Sequence, residues 1–373
     1  MAPVLVDNAV SQDNLDIPLI DFSHYLDGGA ATKQTVAQSV LDGFRNAGFI
    51  YLKNHGIPAA TVQHVFSTSA SFFARPQSQK DALGWTTAEA NRGYVAHGRE
   101  KVTSITDRSD VEVLRSSNPD LKESMEIGRE DEPDLPNRWP TAENGVNDEE
   151  GKAFKETMKQ FFDTCQTLNM QVMRCIALGM GIEESYFDEF TDRSDNTLRL
   201  LHYPSVRKDV FRKNKGQVRA GEHSDYGSIT LLFQDSRGGL QVLSPKGTFV
   251  DATPIPDTIV INAGDLLERW SNDSIKSTKH RVVEPPSPPP SSTTTATAAA
   301  AVAATSNGTT ATYAATDEVG PEFYPARYSI AYFCNPNFDK FIDALPSTWE
   351  KEGKKYPGIN AGTYLVERLR TTY

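Results

Sequence analysis

The sequence predicts an α+β fold: a double-stranded β-helix, or jelly-roll, core with flanking helices. Two observations predict it. Short runs of strand composition follow one another through the second half of the chain, separated by turn signals such as Gly238-Gly239 and Asn262-Ala263-Gly264-Asp265. A single long amphipathic segment precedes them, from about Asp148 to Met180, with Phe154, Met158, Phe161, Cys165, Leu168, Val172 and Ile176 at threes and fours.

Taken in order, residues 1–14 are polar and read as a flexible tail. Residues 17–22 read as a short strand. An amphipathic helix follows from about Thr32, ended by Gly48, and 49–52 read as another strand. Residues 62–73 read as a helix with Val65, Phe66, Phe72 and Phe73 on its core face. Residues 84–94 are polar, aromatic and glycine-broken, and read as a loop of the kind that carries specificity. Gly179 and Gly181 mark the end of the long helix. Strands are expected at 197–203, after His223, at 240–243, 249–251, 258–262 and 327–333. Residues 362–369 read as a helix closing on the core. The organisation is a tail (1–14), an N-terminal region (15–140), and a helix plus jelly-roll core (148–373). Residues 285–321 break that core: the segment is proline-rich, then threonine- and alanine-rich, with almost nothing to bury, and reads as a disordered surface insert. Such a loop costs little, because closure entropy grows only with the logarithm of length.

The 373 residues suffice for a large core, and 38% hydrophobic with 23% charged residues is globular composition. A net charge of −11 argues against a nucleic-acid polymer or an anionic membrane as partner. The basic cluster at 207–215 reads as a solvated loop. Cys165, Cys175 and Cys334 give no disulfide framework and no Cys-x-x-Cys spacing, which fits a reducing compartment. No signal peptide and no membrane-length apolar run is evident, so a cytoplasmic location is expected.

The chemistry lies in two stretches. In Gly221-Glu222-His223-Ser224-Asp225, a histidine and a carboxylate two residues apart stand at the head of a strand-like run. Side chains at i and i+2 of a strand share a face, so both could grip one metal ion. His280 is the candidate third ligand. Two histidines and one carboxylate on one face leave open positions on an octahedral iron(II). A lone His-x-Asp is common by chance; a strand-end aspartate beside a surface histidine is the alternative. Further on, Arg327 and Ser329 are again i and i+2. The arginine fork holds a carboxylate bidentately, and the serine adds a donor.

This combination resembles the iron(II)/2-oxoglutarate-dependent dioxygenases of the isopenicillin N synthase-like family, from about residue 15 to the C-terminus. The resemblance implies Fe(II), 2-oxoglutarate and O2 as reactants. It implies that His223, Asp225 and His280 hold the iron, and that Arg327, Ser329 and Tyr203 meet the far carboxylate of 2-oxoglutarate. Many plant relatives carry asparagine where this chain has Leu201. His55 is implied to be structural. Residues 84–94, 120–133, 198–204, 214–242, 262–286 and 327–337 are similar to a fungal branch, the thymine dioxygenases. That similarity implies a pyrimidine base as substrate, oxidised at its methyl group, with Arg199, Tyr226, Phe333 and, from the loop, Asn91 around the ring. Strand core for Phe333 and a structural ion pair for Arg199 are the alternatives. Three other functions remain open: an oxidase that uses the clamp for its substrate's own carboxylate, a dioxygenase of another small fungal metabolite, and a non-catalytic iron- or ligand-binding protein.

Overall fold

The computed structural model describes residues 7–100, 119–130, 132–214, 216–285 and 320–372. Through the core the strands, numbered along the chain, are β1 (Asp7–Gln12), β2 (Leu15–Asp21), β3 (Phe49–Lys53), β4 (Gly93–Val95), β5 (Glu123–Gly128), β6 (Thr197–Tyr203), β7 (Val206–Arg207) and β8 (Ala220–His223). They continue with β9 (Ile229–Gln234), β10 (Leu240–Leu243), β11 (Phe249–Asp251), β12 (Thr258–Ala263), β13 (His280–Val282), β14 (Phe323–Tyr324) and β15 (Arg327–Cys334). A nine-stranded sheet has the order β1-β2-β3-β12-β9-β15-β6-β5-β4, and a four-stranded sheet has the order β11-β10-β13-β8. Consecutive strands such as β8 and β9 lie in different sheets. This crossing between layers is what the expected jelly roll requires.

The two sheets face each other across a small apolar core. Phe49, Tyr51 and Val260 from the large sheet meet Leu240, Val242 and Val282 from the small one. The outer face of the large sheet is covered by helices. The Asp148–Met180 helix packs Phe161 on Phe233 and Phe162 on Tyr332, each pair with ring centroids 5.1 Å apart. Asn147 caps its first turn by accepting from the Glu149 N–H, and Gly181, at φ 74°, ends it in the left-handed conformation. Gly179 is not an end signal. It lies inside the helix, where a Cβ would come within 2.5 Å of the Ala37 carbonyl oxygen, so its absent side chain lets the Ala30–Asn46 helix approach.

Two expectations change. The tail reading of 1–14 holds for no part of the described stretch: residues 7–12 form β1, antiparallel to β2, because Val10, Leu15 and Ile17 alternate inward onto the inter-sheet core. The N-terminal region, read as separate from the helix and jelly-roll core, contributes strands to the core sheet. β1–β3 extend one side of the large sheet, and β5 and β4 extend the other. The 285–321 reading falls on residues 286–319, which lie outside the described residues. No described helix is long and apolar enough to cross a membrane.

Candidate active site

His223, Asp225 and His280 are brought together, but not by strand alternation. His223 is the last residue of β8, and Asp225 sits in the turn that carries the chain from β8 to β9. His280 opens β13 directly across from His223 in the antiparallel register. The Asp225 turn is fixed from behind: its carbonyl accepts from the Asp265 N–H at 2.7 Å. A Cβ on Gly264 would lie 2.4 Å from the Gly227 carbonyl oxygen, so only glycine lets that corner close on the turn.

The three side chains offer ligand atoms within 4.8 Å of one another. The His223 Nδ1 faces the Gly221 carbonyl at 2.7 Å, and the His280 Nδ1 faces the Thr278 carbonyl at 3.3 Å. A carbonyl accepts only, so each Nδ1 carries a proton and each Nε2 is the atom left to face a metal. Each Nε2 lies 3.8 Å from the Asp225 Oδ1. The other carboxylate oxygen, Oδ2, accepts from Thr230 Oγ1 at 2.6 Å and from Asn262 Nδ2 at 2.7 Å. Burial opposes the charge on Asp225, but His280, His223 and these two bonds outweigh it and lower its pKa. Burial and the neighbouring His280 push His223 toward its neutral form. Two imidazoles and one carboxylate, each oriented by its other polar atom, form a donor set that fits a divalent iron.

β15 and β6 lie side by side and carry the rest of the inner wall. Tyr203 pairs with Arg327, Leu201 with Ser329, Arg199 with Ala331 and Thr197 with Phe333. At one end Arg327 and Ser329 are both buried on the face that meets the cavity of the triad. Arg327 donates from Nε to the Gly238 carbonyl at 2.9 Å and from Nη1 to Ser329 Oγ at 3.1 Å. Its Nη2 reaches Gln234 Oε1 at 3.4 Å, and the guanidinium stacks 4.8 Å from the Tyr203 ring centre. Five N–H groups with three engaged leave two for a carboxylate. Leu201 lines the same cavity and offers it no polar group.

At the other end a second chamber opens beside His223 and Asp225. Arg199, Tyr226, Phe333 and Asn91 all line it. The Arg199 guanidinium lies 5.0 Å from the Phe333 ring centre, so ring face and cation share one wall. The Tyr226 hydroxyl meets Thr372 Oγ1 at 2.7 Å, while Arg368 lies over the ring at 4.4 Å. Thr372, Leu365 and Leu369 of the Ala361–Thr372 helix close this side. Asn91 accepts from Trp85 Nε1 at 3.1 Å and is held at φ 45°. His55 and His202 stand apart from both chambers. The His55 Nδ1 accepts from the Ile57 N–H at 3.3 Å, and the His202 Nδ1 pairs with Glu123 at 2.7 Å.

Sequence reasoning missed Glu100, Lys122, Glu126, Thr230 and Asn262. Arg199 binds Glu126, its cross-strand partner, at 2.7 Å, and reaches Glu100 at 3.4 Å. Glu100 in turn is paired with Lys122, and both are buried. One signal was available: Lys122, Ser124 and Glu126 alternate along β5 and its entry, so three polar side chains share one face.

Comparison with known proteins agrees with this geometry. Residues 194–336 match the 2OG-Fe(II) oxygenase superfamily, and residues 17–142 match the N-terminal family described as non-haem dioxygenase in morphine synthesis. The 2-oxoglutarate-Fe(II) type oxidoreductase ppzD of Metarhizium rileyi is 32% identical, over 95% of this chain and 90% of its own. The chain belongs to the 2OG-Fe(II) oxygenase superfamily. The full-length thymine 7-hydroxylase of Neurospora crassa, solved with alpha-KG and thymine, is 55% identical with a TM-score of 0.83, covering 98% of this chain and 100% of its own. The same protein solved with alpha-KG and 5-formyluracil is 51% identical with a TM-score of 0.80, covering 98% and 99%. This oxygenase is a 2-oxoglutarate-dependent non-haem iron dioxygenase that acts on small molecules and uses Fe(II), 2-oxoglutarate and O2.

Two predictions test the residue assignments in this oxygenase. Replacing His223, Asp225 or His280 by alanine is expected to abolish stoichiometric Fe(II) binding in a folded protein, whereas His55→Ala and His202→Ala retain it. Asn262→Leu, which uncaps Asp225, is expected to weaken iron binding by roughly 10–100-fold. Anaerobic metal titration checks the whole set; normal iron affinity in His280→Ala contradicts the assignment. Arg327→Lys replaces the fork by a point charge and is expected to raise the 2-oxoglutarate Kd by roughly one to two decades. An unchanged Kd removes Arg327 from that role.

Proposed function

We propose that this enzyme oxidises the methyl group of free thymine, or of a closely related 5-substituted uracil. The observation that carries the reading is the second chamber. A flat aromatic face and a guanidinium share this chamber with His223 and Asp225, which suits a flat ring with carbonyl groups on its edge. Similarity to the Neurospora thymine 7-hydroxylase over nearly the whole chain supports it. In this reading Phe333 stacks on the ring, Arg199 donates to a ring carbonyl, Asn91 offers its remaining amide N–H, and Tyr226 packs as a ring fixed by Thr372 and Arg368.

The same reading gives the remaining side chains their roles. His223, Asp225 and His280 hold the iron. Arg327 and Ser329 bind the far carboxylate of 2-oxoglutarate, with Tyr203 packed on the guanidinium. When bound, iron and 2-oxoglutarate supply O2 activation, with succinate and CO2 as co-products. The protein positions the methyl group and excludes water. The Ala361–Thr372 helix closes one side of the chamber, and residues of β12, β13 and β15 wall the triad cavity. A dioxygenase of another small fungal metabolite is the second reading, favoured by the similarity to ppzD.

The test is thymine-stimulated succinate formation, with 5-hydroxymethyluracil appearing in step. Phe333→Ala is expected to weaken thymine binding and leave 2-oxoglutarate binding nearly unchanged. Arg199→Ala is expected to weaken thymine binding and raise succinate formed without product. If no 5-substituted uracil stimulates succinate while iron and 2-oxoglutarate are bound, the substrate is another small molecule.

A further inference from the structure

A pyrimidine base carries N–H groups as well as carbonyls, and a buried N–H without an acceptor is costly. The side chains so far placed around the ring supply donors and a face. Arg199 only donates, and Phe333 offers no acceptor. The Asn91 carbonyl oxygen already accepts from Trp85, and the Tyr226 hydroxyl is engaged with Thr372. Among the described residues, the other carboxylates on the chamber wall are more open to solvent or already bonded through both oxygens: Glu89 and Glu132 pair with Arg370 and Arg129 at exposed or half-buried positions, and Asp195 spends one oxygen on Arg129 and the other on the Phe338 N–H. Asp225 belongs to the triad.

Glu100 is different. It is only 3% exposed, lines the chamber, and has its Oε1 3.4 Å from the Arg199 Nη1. It shares the chamber wall with His223, Asp225 and Tyr226. Burial works against its charge, but Lys122 and Arg199 outweigh burial and hold its pKa down at about 2. A carboxylate has about four acceptor positions; Lys122 and Arg199 engage two, so acceptor capacity remains.

We infer that Glu100 and Arg199 together read one –C(=O)–NH– edge of a planar ring, Arg199 donating to the carbonyl and the Glu100 carboxylate accepting from the adjacent N–H. The ligand class is a cyclic imide or lactam with a free N–H beside its carbonyl. In such a ring the two groups are neighbours on one edge, and the protein presents an acceptor and a donor as neighbours on one wall. An ionised carboxylate cannot donate, so the pair also forbids the flipped orientation that would set a carbonyl against Glu100. Lys122, buried and paired with Glu100 from the wall of the triad cavity, is a positioning residue that keeps the carboxylate charged.

The inference rests on the pyrimidine reading, and the experiment separates the two. Full-length protein loaded with Fe(II) and 2-oxoglutarate is titrated anaerobically by calorimetry with thymine, 1-methylthymine and 3-methylthymine. Wild-type protein is expected to bind thymine and to reject one N-methyl isomer by roughly one to two decades in Kd more than the other, the size expected for a hydrogen bond to a charged group. Glu100→Met combined with Lys122→Met removes both buried charges together, so neither is left unpaired. It is expected to weaken thymine by a similar factor and to bind the two isomers alike. Equal binding of both isomers by wild-type protein overturns the inference, and this comparison needs no variant. So does a folded double variant that keeps wild-type thymine affinity or isomer preference. If wild-type protein binds no thymine at all, the pyrimidine reading fails first and takes the inference with it.

Discussion

The site depends on the divided carboxylate of Asp225. One oxygen is occupied by Thr230 and Asn262, and the other faces the two imidazole nitrogens. Three elements converge to produce this. β9 supplies Thr230, β12 supplies Asn262, and the turn out of β8 supplies the aspartate itself. Without its two hydrogen bonds the carboxylate could rotate, and the donor set would lose its geometry. The crossing from the small sheet to the large one, which defines the fold, occurs at this turn.

From that point the paired strands β6 and β15 act as a ruler. Their inner faces carry the carboxylate clamp at Tyr203 and Arg327, then Leu201 and Ser329, then Arg199 and Ala331, then Phe333. At about 3.4 Å per residue, the distance from Arg327 to Phe333 is roughly 20 Å along the strand. That length separates a co-substrate end from a substrate end, with the triad facing the middle from the small sheet. His223 and Asp225 line both chambers, so the metal position is where the two reactants would meet. Of the buried charges nearby, Glu100 lines the second chamber, Lys122 the first, and Arg199 both.

Much of this was legible in the sequence because it is periodic. The Asp148–Met180 helix announced itself by its apolar stripe, and β15 by the alternation that puts Arg327, Ser329 and Phe333 on one side. The triad members were legible as residue types and spacing, although the local geometry was not: His223 and Asp225 meet through a turn between sheets, and no pattern of alternation encodes a turn. β1 was missed because a short edge strand with one inward apolar residue, Val10, has no periodic signal of its own. Glu100 and Lys122 were missed for a different reason. The alternation of Lys122 with Ser124 and Glu126 marks a polar face but not its partner, because an ion pair between residues 22 apart leaves no local trace and Glu100 lies outside any strand.

The central claim is that one metal position serves both chambers. It is tested most directly by the visible charge-transfer absorption that arises when 2-oxoglutarate chelates protein-bound Fe(II) without oxygen. A band that requires both Fe(II) and 2-oxoglutarate is expected, and it shifts in energy or shape as thymine saturates the second chamber. Thymine binding by calorimetry that leaves the band unchanged would place the ring away from the metal and contradict the account.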